Sequence, residues 1–185
     1  MENSKLISAA AAILDEIESK QLNIVVLNKA LFYLDLYALR DLGETVTGAQ
    51  FVALKNGPVV ASYKTRLVAA LRDHGVAEQY LEYSGYGKPV KLIDSDKAEP
   101  LKNSEHRLVR DIAASFSGTT SAMAVDYSHH NPGWIAAKRK GVGTPINMLL
   151  AMQQLAHDDP WLDEELTEEE EAELALAVNG PTEAL

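Results

Sequence analysis

The sequence predicts a mainly α (α+β) fold: a compact helical domain with a small antiparallel β-sheet or hairpin, then an acidic C-terminal tail holding a short helix. Three observations carry this reading. Apolar residues recur at three- and four-residue spacing over several long stretches, which is the helical period. Short strand-like runs appear only at Gln50–Leu54 and on either side of Gly87-Lys88-Pro89. Residues 1–157 carry all 17 Lys and Arg against 16 Asp and Glu, whereas residues 158–185 carry 11 acidic residues and no Lys or Arg. The formal net charge of −10 therefore belongs to the tail, and so sharp a shift places a boundary between a domain at 1–157 and an extension at 158–185.

The elements follow in order. Leu6, Ile7, Ala10, Ile13, Leu14 and Ile17 share one helix face, with Glu16, Glu18 and Lys20 outward and Ser4 as the expected cap. The next helix, from about Val25 to Leu42, is apolar almost all round and belongs in the centre of the core. Gly43 supplies the left-handed residue that ends it. Asn28, Lys29 and Asp35 interrupt that helix, and each needs a partner once buried. Gln50–Leu54 is short enough for a strand. Lys55-Asn56-Gly57-Pro58-Val59 reads as a tight turn into a third helix. Gly57 accepts unusual dihedrals and Pro58 suits a first helical position, with the helix running to about Asp73 and closing at Gly75. Leu81–Tyr86 and Val90–Ile93 form the expected hairpin. A fourth helix follows Asn103-Ser104, with Leu108, Val109, Ile112 and Phe116 inward and Gly118 as its stop. A short helix spans Ser121 to Ser128, and Thr144-Pro145 starts another through Ala156.

In the tail, Thr167-Glu168-Glu169-Glu170 is a capping box, and Asn179-Gly180-Pro181 ends the helix it opens. Two readings stand for this segment: a solvated acidic extension, or an amphipathic segment that orders on a basic partner through Trp161, Leu162 and Glu169.

Composition excludes several classes. With no cysteine there are neither disulfides nor thiolate metal sites, which fits a cytoplasmic protein. No apolar run approaches the roughly 20 residues that span a bilayer, and the first residues lack a secretory pattern. A near-neutral body argues against direct nucleic-acid binding, which draws its affinity from phosphate neutralisation.

Few residues could carry chemistry. Asp126, His129, His130 and Asn131 are the one dense group, and a metal there would need a third ligand such as His74, His106 or His157. The structural alternative is one histidine bonded inside the domain while Pro132 and Trp134 lock the following turn. No nucleophile elbow or Walker-type loop is present, so the reading assigns no catalytic residue, no cofactor and no metal. The Lys55–Pro58 turn could hold an anion on backbone amides or be purely architectural. Lys138-Arg139-Lys140 reads as a basic triplet in a Gly-rich loop. Tyr80, Tyr83 and Tyr86 are candidate interface residues, since tyrosine joins a large apolar area to a polar tip.

Three stretches together carry a resemblance: Leu27-Asn28-Lys29-Ala30-Leu31-Phe32-Tyr33-Leu34-Asp35, Lys55-Asn56-Gly57-Pro58-Val59, and Ser128-His129-His130-Asn131-Pro132-Gly133-Trp134. In this order and spacing the chain resembles the Panacea, or SocA-like, domain of bacterial and phage antitoxins over about residues 5–155. It departs in Ala30, where a larger aliphatic is usual, and in Asn131, where the family tends to carry an acid before the proline. The resemblance implies a non-enzymatic antitoxin that binds and occludes a protein toxin, the product of the adjacent gene. Lys55, Asn56, Tyr80, Tyr83, Tyr86, Trp161, Leu162 and Glu169 are then the candidate contacts. Asn28, Lys29, Asp35, Gly57, Pro58, His129, Pro132 and Trp134 are the family-motif residues expected to hold the fold. Two alternatives stay open: an adaptor that delivers a toxin to a cytosolic protease, and a metal-dependent hydrolase using Asp126, His129 and His130.

Overall fold

In the computed structural model, which describes residues 3–80 and 87–157, helix α2 (Ile24–Leu42) lies at the centre of the core. It is apolar almost all round, as a helix covered on most sides must be, and Leu27, Leu31, Phe32, Leu34 and Leu36 are fully buried. Asn23 caps it by accepting from the Val25 amide, and Gly43, at φ +74°, ends it in the left-handed conformation. Helices α1 (Ser4–Glu16) and α4 (Asn103–Phe116) pack on each other and on α2, and α5 (Ser121–His129) packs on α2 as well. This is the mainly α architecture with small antiparallel sheets that the sequence predicts. The described residues through Gln154 form one compact unit, and residues 155–157 fall in a second. Among the described residues no helix is long and apolar enough to cross a membrane.

Two small sheets complete the domain. Strands β1 (Gln21–Asn23), β4 (Ala77–Gln79) and β5 (Pro89–Leu92) pair antiparallel in the order β1-β5-β4. The expected hairpin partner at Leu81–Tyr86 lies outside the described residues, and the observed partners of β5 are two strands too short to show a period in the sequence. Strands β2 (Phe51–Leu54) and β3 (Gly57–Val60) form a second hairpin, with Leu54 opposite Gly57 and Lys55-Asn56 as its loop.

That hairpin corrects the expected helix start at Pro58. Pro58 stands in β3 opposite Ala53, whose own amide and carbonyl turn away to Thr144 (2.9 Å) and Gly143 (2.8 Å). The missing proline N–H therefore falls on the outer edge of β3 and removes no ladder bond. The chain turns at Ser62, which has φ +55°, and helical structure begins at a π-helical turn, Lys64–Ala69, that runs into α3 (Ala70–Asp73).

Three further expectations change. Ser4 is the first residue of α1 rather than its cap; Asn3 takes the cap position without a side-chain bond to the helix, its Oδ1 accepting from Arg66 Nε at 3.2 Å instead. Thr144-Pro145 does not start a helix: Pro145 bridges to Val52 and the Ile146 amide donates to the Phe51 carbonyl at 2.9 Å, extending the β2 edge. Helix α7 (Met148–Ala151) begins only after Asn147, whose side chain accepts from the Leu150 amide, and α8 spans Gln153–His157. Lys138, Arg139 and Lys140 are not in a loop but form the last turn of α6 (Pro132–Lys140), where their charges suit the negative end of the helix dipole.

Candidate functional site

The polar residues of α2 reach two different loops. Lys29, fully buried, donates from Nζ to the Pro58 carbonyl at 2.8 Å. Its neighbour Asn28 accepts from the Val60 amide at 3.0 Å and donates to the Ile24 carbonyl at 2.9 Å. Asn28 and Lys29 thus satisfy the outer edge of β3 as a neighbouring strand would. Loss of hydration pulls the Lys29 amine down from 10.5 to about 7. Asp35 lies further along and does not pair with Lys29. Its Oδ1 accepts from the amides of Val46 (2.9 Å) and Thr47 (2.8 Å), and its Oδ2 from the Thr47 hydroxyl (2.5 Å). Burial pushes this carboxyl up to about 6, with the three donors pulling the other way.

The α5–α6 junction closes on the same hairpin. Gly57, at φ +101°, is held between two side chains: a Cβ there would lie 2.4 Å from Ser128 Oγ and 2.8 Å from Lys29 Cε. Only glycine meets both the dihedral and the space. Trp134 Nε1 donates to the Leu54 carbonyl at 3.1 Å, and His129 stacks on the Trp134 indole with centroids 4.3 Å apart and planes 8° apart. Lys138 Nζ lies 4.5 Å from the Trp134 ring centroid. Desolvation holds His129 below its ordinary value, helped by the charges of Lys138 and Lys29 and opposed by a hydrogen bond with the Lys55 backbone. Asn131, fully buried, caps α6 by accepting from the Trp134 amide at 3.0 Å, with Pro132 in the first turn. Its amide nitrogen donates to the Ala151 carbonyl (3.0 Å) and to Gln154 Oε1 (2.9 Å), which also accepts from the Tyr33 hydroxyl (2.9 Å).

Residues 28–29, 54–60 and 128–134 therefore form one knot, with the Lys55-Asn56 loop at its surface. Lys55 is exposed and Asn56 half-buried. Beside the loop lies a cavity of about 320 Å³, lined among others by Lys29, Lys55, Asn56, Val59, Tyr63 and Val142. Asn28, Lys29, Gly57, Pro58, His129 and Trp134 meet here, while Asp35 serves the Val46–Thr47 turn instead. Tyr80 is 38% exposed, follows β4 and does not line this cavity. Tyr83, Tyr86, Trp161, Leu162 and Glu169 lie outside the described residues. The histidine pair is divided: His130 is exposed and its Nδ1 lies 3.0 Å from the Asp126 carbonyl, whereas His129 faces Trp134. Among the described residues no group of three His, Cys, Asp or Glu is placed to hold a metal ion.

Sequence reasoning gave no role to Ser128, Tyr63, Val142 or Gln154. Ser128 lies within a quoted motif and could have been found as the small neighbour of Gly57. Tyr63 and Val142 carry no local signal, because only the tertiary fold sets them beside the Lys55 loop.

A family model for the antitoxin SocA-like Panacea domain matches residues 27–135, a span that encloses the whole knot. Comparison with curated proteins and with solved structures found no match.

Proposed function

We propose, from the premise that this chain belongs to the antitoxin SocA-like Panacea family, that it neutralises a protein toxin by direct binding. The observation that carries this reading is how the knot uses its polar side chains. Lys29 holds the Pro58 carbonyl, Trp134 holds the Leu54 carbonyl, and His129 is stacked and bonded to the Lys55 backbone. Each of these groups bonds a backbone position, His129 Nε2 alone among the described residues being buried without a hydrogen-bond partner, and what they present is a surface loop with a cavity beside it. That favours recognition over turnover. On this reading the domain at 1–157 is a scaffold for the Lys55–Val59 contact, and the acidic extension at 158–185 adds a second contact through Trp161, Leu162 and Glu169.

The test is a growth assay of the product of the adjacent reading frame, expressed alone and together with this chain. Arrest by the neighbour alone, rescue by co-expression and co-purification of the two proteins are the expected results. A harmless neighbour would overturn the reading. Loss of the neighbour only in cells that hold a particular protease would replace occlusion with delivery for degradation.

A further inference from the structure

The cavity beside the Lys55 loop has a chemical bias. Its basic lining residues are Lys55, exposed, and Lys29, buried and bonded to the Pro58 carbonyl, with no acid among those that line it, and Asn56 supplies an amide beside Lys55. Apart from the buried Asn28, the remaining lining is apolar: Ile24, Val25, Leu54, Val59, Tyr63 and Val142. No ion pair among the described residues involves Lys29 or Lys55. Ile24 and Tyr63 also border the adjoining hollow, whose charged residues are Lys64, Lys88 and Arg72, the last paired with Asp73 at 2.9 Å, against Glu78. The body as a whole is nearly balanced, so this face is more basic than the domain that carries it.

Val142 strengthens the bias toward a partner. It is 74% exposed although its neighbours are fixed: the Gly143 amide donates to the Ala53 carbonyl and the Ala53 amide to the Thr144 carbonyl. A valine held out on a pinned loop, next to a lysine without a counter-ion among the described residues, suits a mixed contact in which apolar walls lower the local dielectric and strengthen a charge pair.

Building on the antitoxin reading, we infer that this cavity receives an aspartate or glutamate of the toxin, flanked by aliphatic residues. The carboxylate sits near Lys55 and Asn56, and its aliphatic neighbours lie against Val59, Tyr63 and Val142. Charge complementarity selects an acidic occupant over a neutral or basic one.

The test uses the full chain, isotope-labelled for NMR, with two probe peptides: acetyl-Leu-Glu-Leu-amide and acetyl-Leu-Gln-Leu-amide. The glutamate peptide should shift the amides of residues 55–57, 59 and 142, and the glutamine peptide should bind at least about tenfold more weakly, as expected when a charge-assisted contact is lost. Lys55→Glu and Val142→Asp each put a negative charge at the rim and should weaken the glutamate peptide by a similar factor. Both positions are exposed, and unchanged thermal unfolding would show that both variants fold. Equal shifts from the two peptides, or none, would overturn the inference. The two proposals separate in the growth assay. If the neighbour is toxic and both variants rescue as well as the wild type, the carboxylate pocket falls and the antitoxin reading stands. If the neighbour is harmless while the glutamate peptide still shifts residues 55–59, the toxin falls as the source and the acidic receptor stands.

Discussion

Lys29 and Pro58 stand 29 positions apart, yet the ammonium of the first donates to the carbonyl of the second at 2.8 Å, joining the central helix to the β2–β3 hairpin. The bond uses a lysine with no carboxylate partner among the described residues, so the pH dependence of stability should report it directly. The folded-state pKa is lowered to about 7 from 10.5, so the unfolded chain binds more protons across that window. Stability therefore rises with pH between those values, and the gain is absent below about 7. Wild type should gain up to about 1 kcal/mol per pH unit over Lys29→Met there, measured by urea unfolding. Parallel pH profiles for the two proteins would refute the assignment.

Asp35 has the opposite sign. Its folded-state pKa is raised from 3.8 to about 6, so the folded chain binds more protons in that window. The resulting stabilisation is complete below 3.8 and lost as pH rises through about 6. Asp35→Asn, which cannot titrate, should lack this dependence, a difference of about 3 kcal/mol across the window. At neutral pH, Asp35→Ala should cost about 3 kcal/mol, because the Val46 and Thr47 amides lose their acceptor.

Two glycines separate dihedral strain from steric conflict. A Cβ added to Gly118, at φ +75°, would meet nothing within 4 Å, whereas one added to Gly57, at φ +101°, would face Ser128 Oγ at 2.4 Å. Gly118→Ala should cost about 1 kcal/mol and Gly57→Ala at least about 3 kcal/mol, read from denaturant midpoints. Equal costs would mean that the hairpin can move away from α5.

Asn131→Asp tests the acid that the family tends to carry before the proline. Either carboxylate oxygen can cap α6, but the other would face the Ala151 carbonyl and Gln154 Oε1, which the Asn131 amide now serves at 3.0 and 2.9 Å. The substitution should lower stability by about 2 kcal/mol at neutral pH, with partial recovery on acidification. A stability equal to wild type would show that the Gln154 amide reverses to accommodate the acid.

The central helix was legible because its signals are local: apolar residues almost all round from about Val25 to Leu42, and Gly43 as its stop. The start of the third helix was misread because Gly57-Pro58 satisfies two grammars. A glycine–proline pair opens a helix as readily as it opens an edge strand, and what decides is whether the proline's missing N–H faces a partner. Helix α6 went unseen because Gly133 and a run of three basic residues mask its period. The knot itself could be named from its motifs but not assembled from them. Lys29 and Trp134 bind backbone carbonyls, and every residue type carries one, so nothing in the sequence marks their partners.

Asn28 and Lys29 also decide what kind of molecule can dock on the small hairpin. Their side chains cover the outer edge of β3, while residues 143–146 cover the outer edge of β2. This sheet is closed on both sides, so a foreign strand cannot zip onto it, either as ligand or as the first step of aggregation. A protein that meets this surface is sorted by side-chain shape and charge, and need not lend a strand of its own.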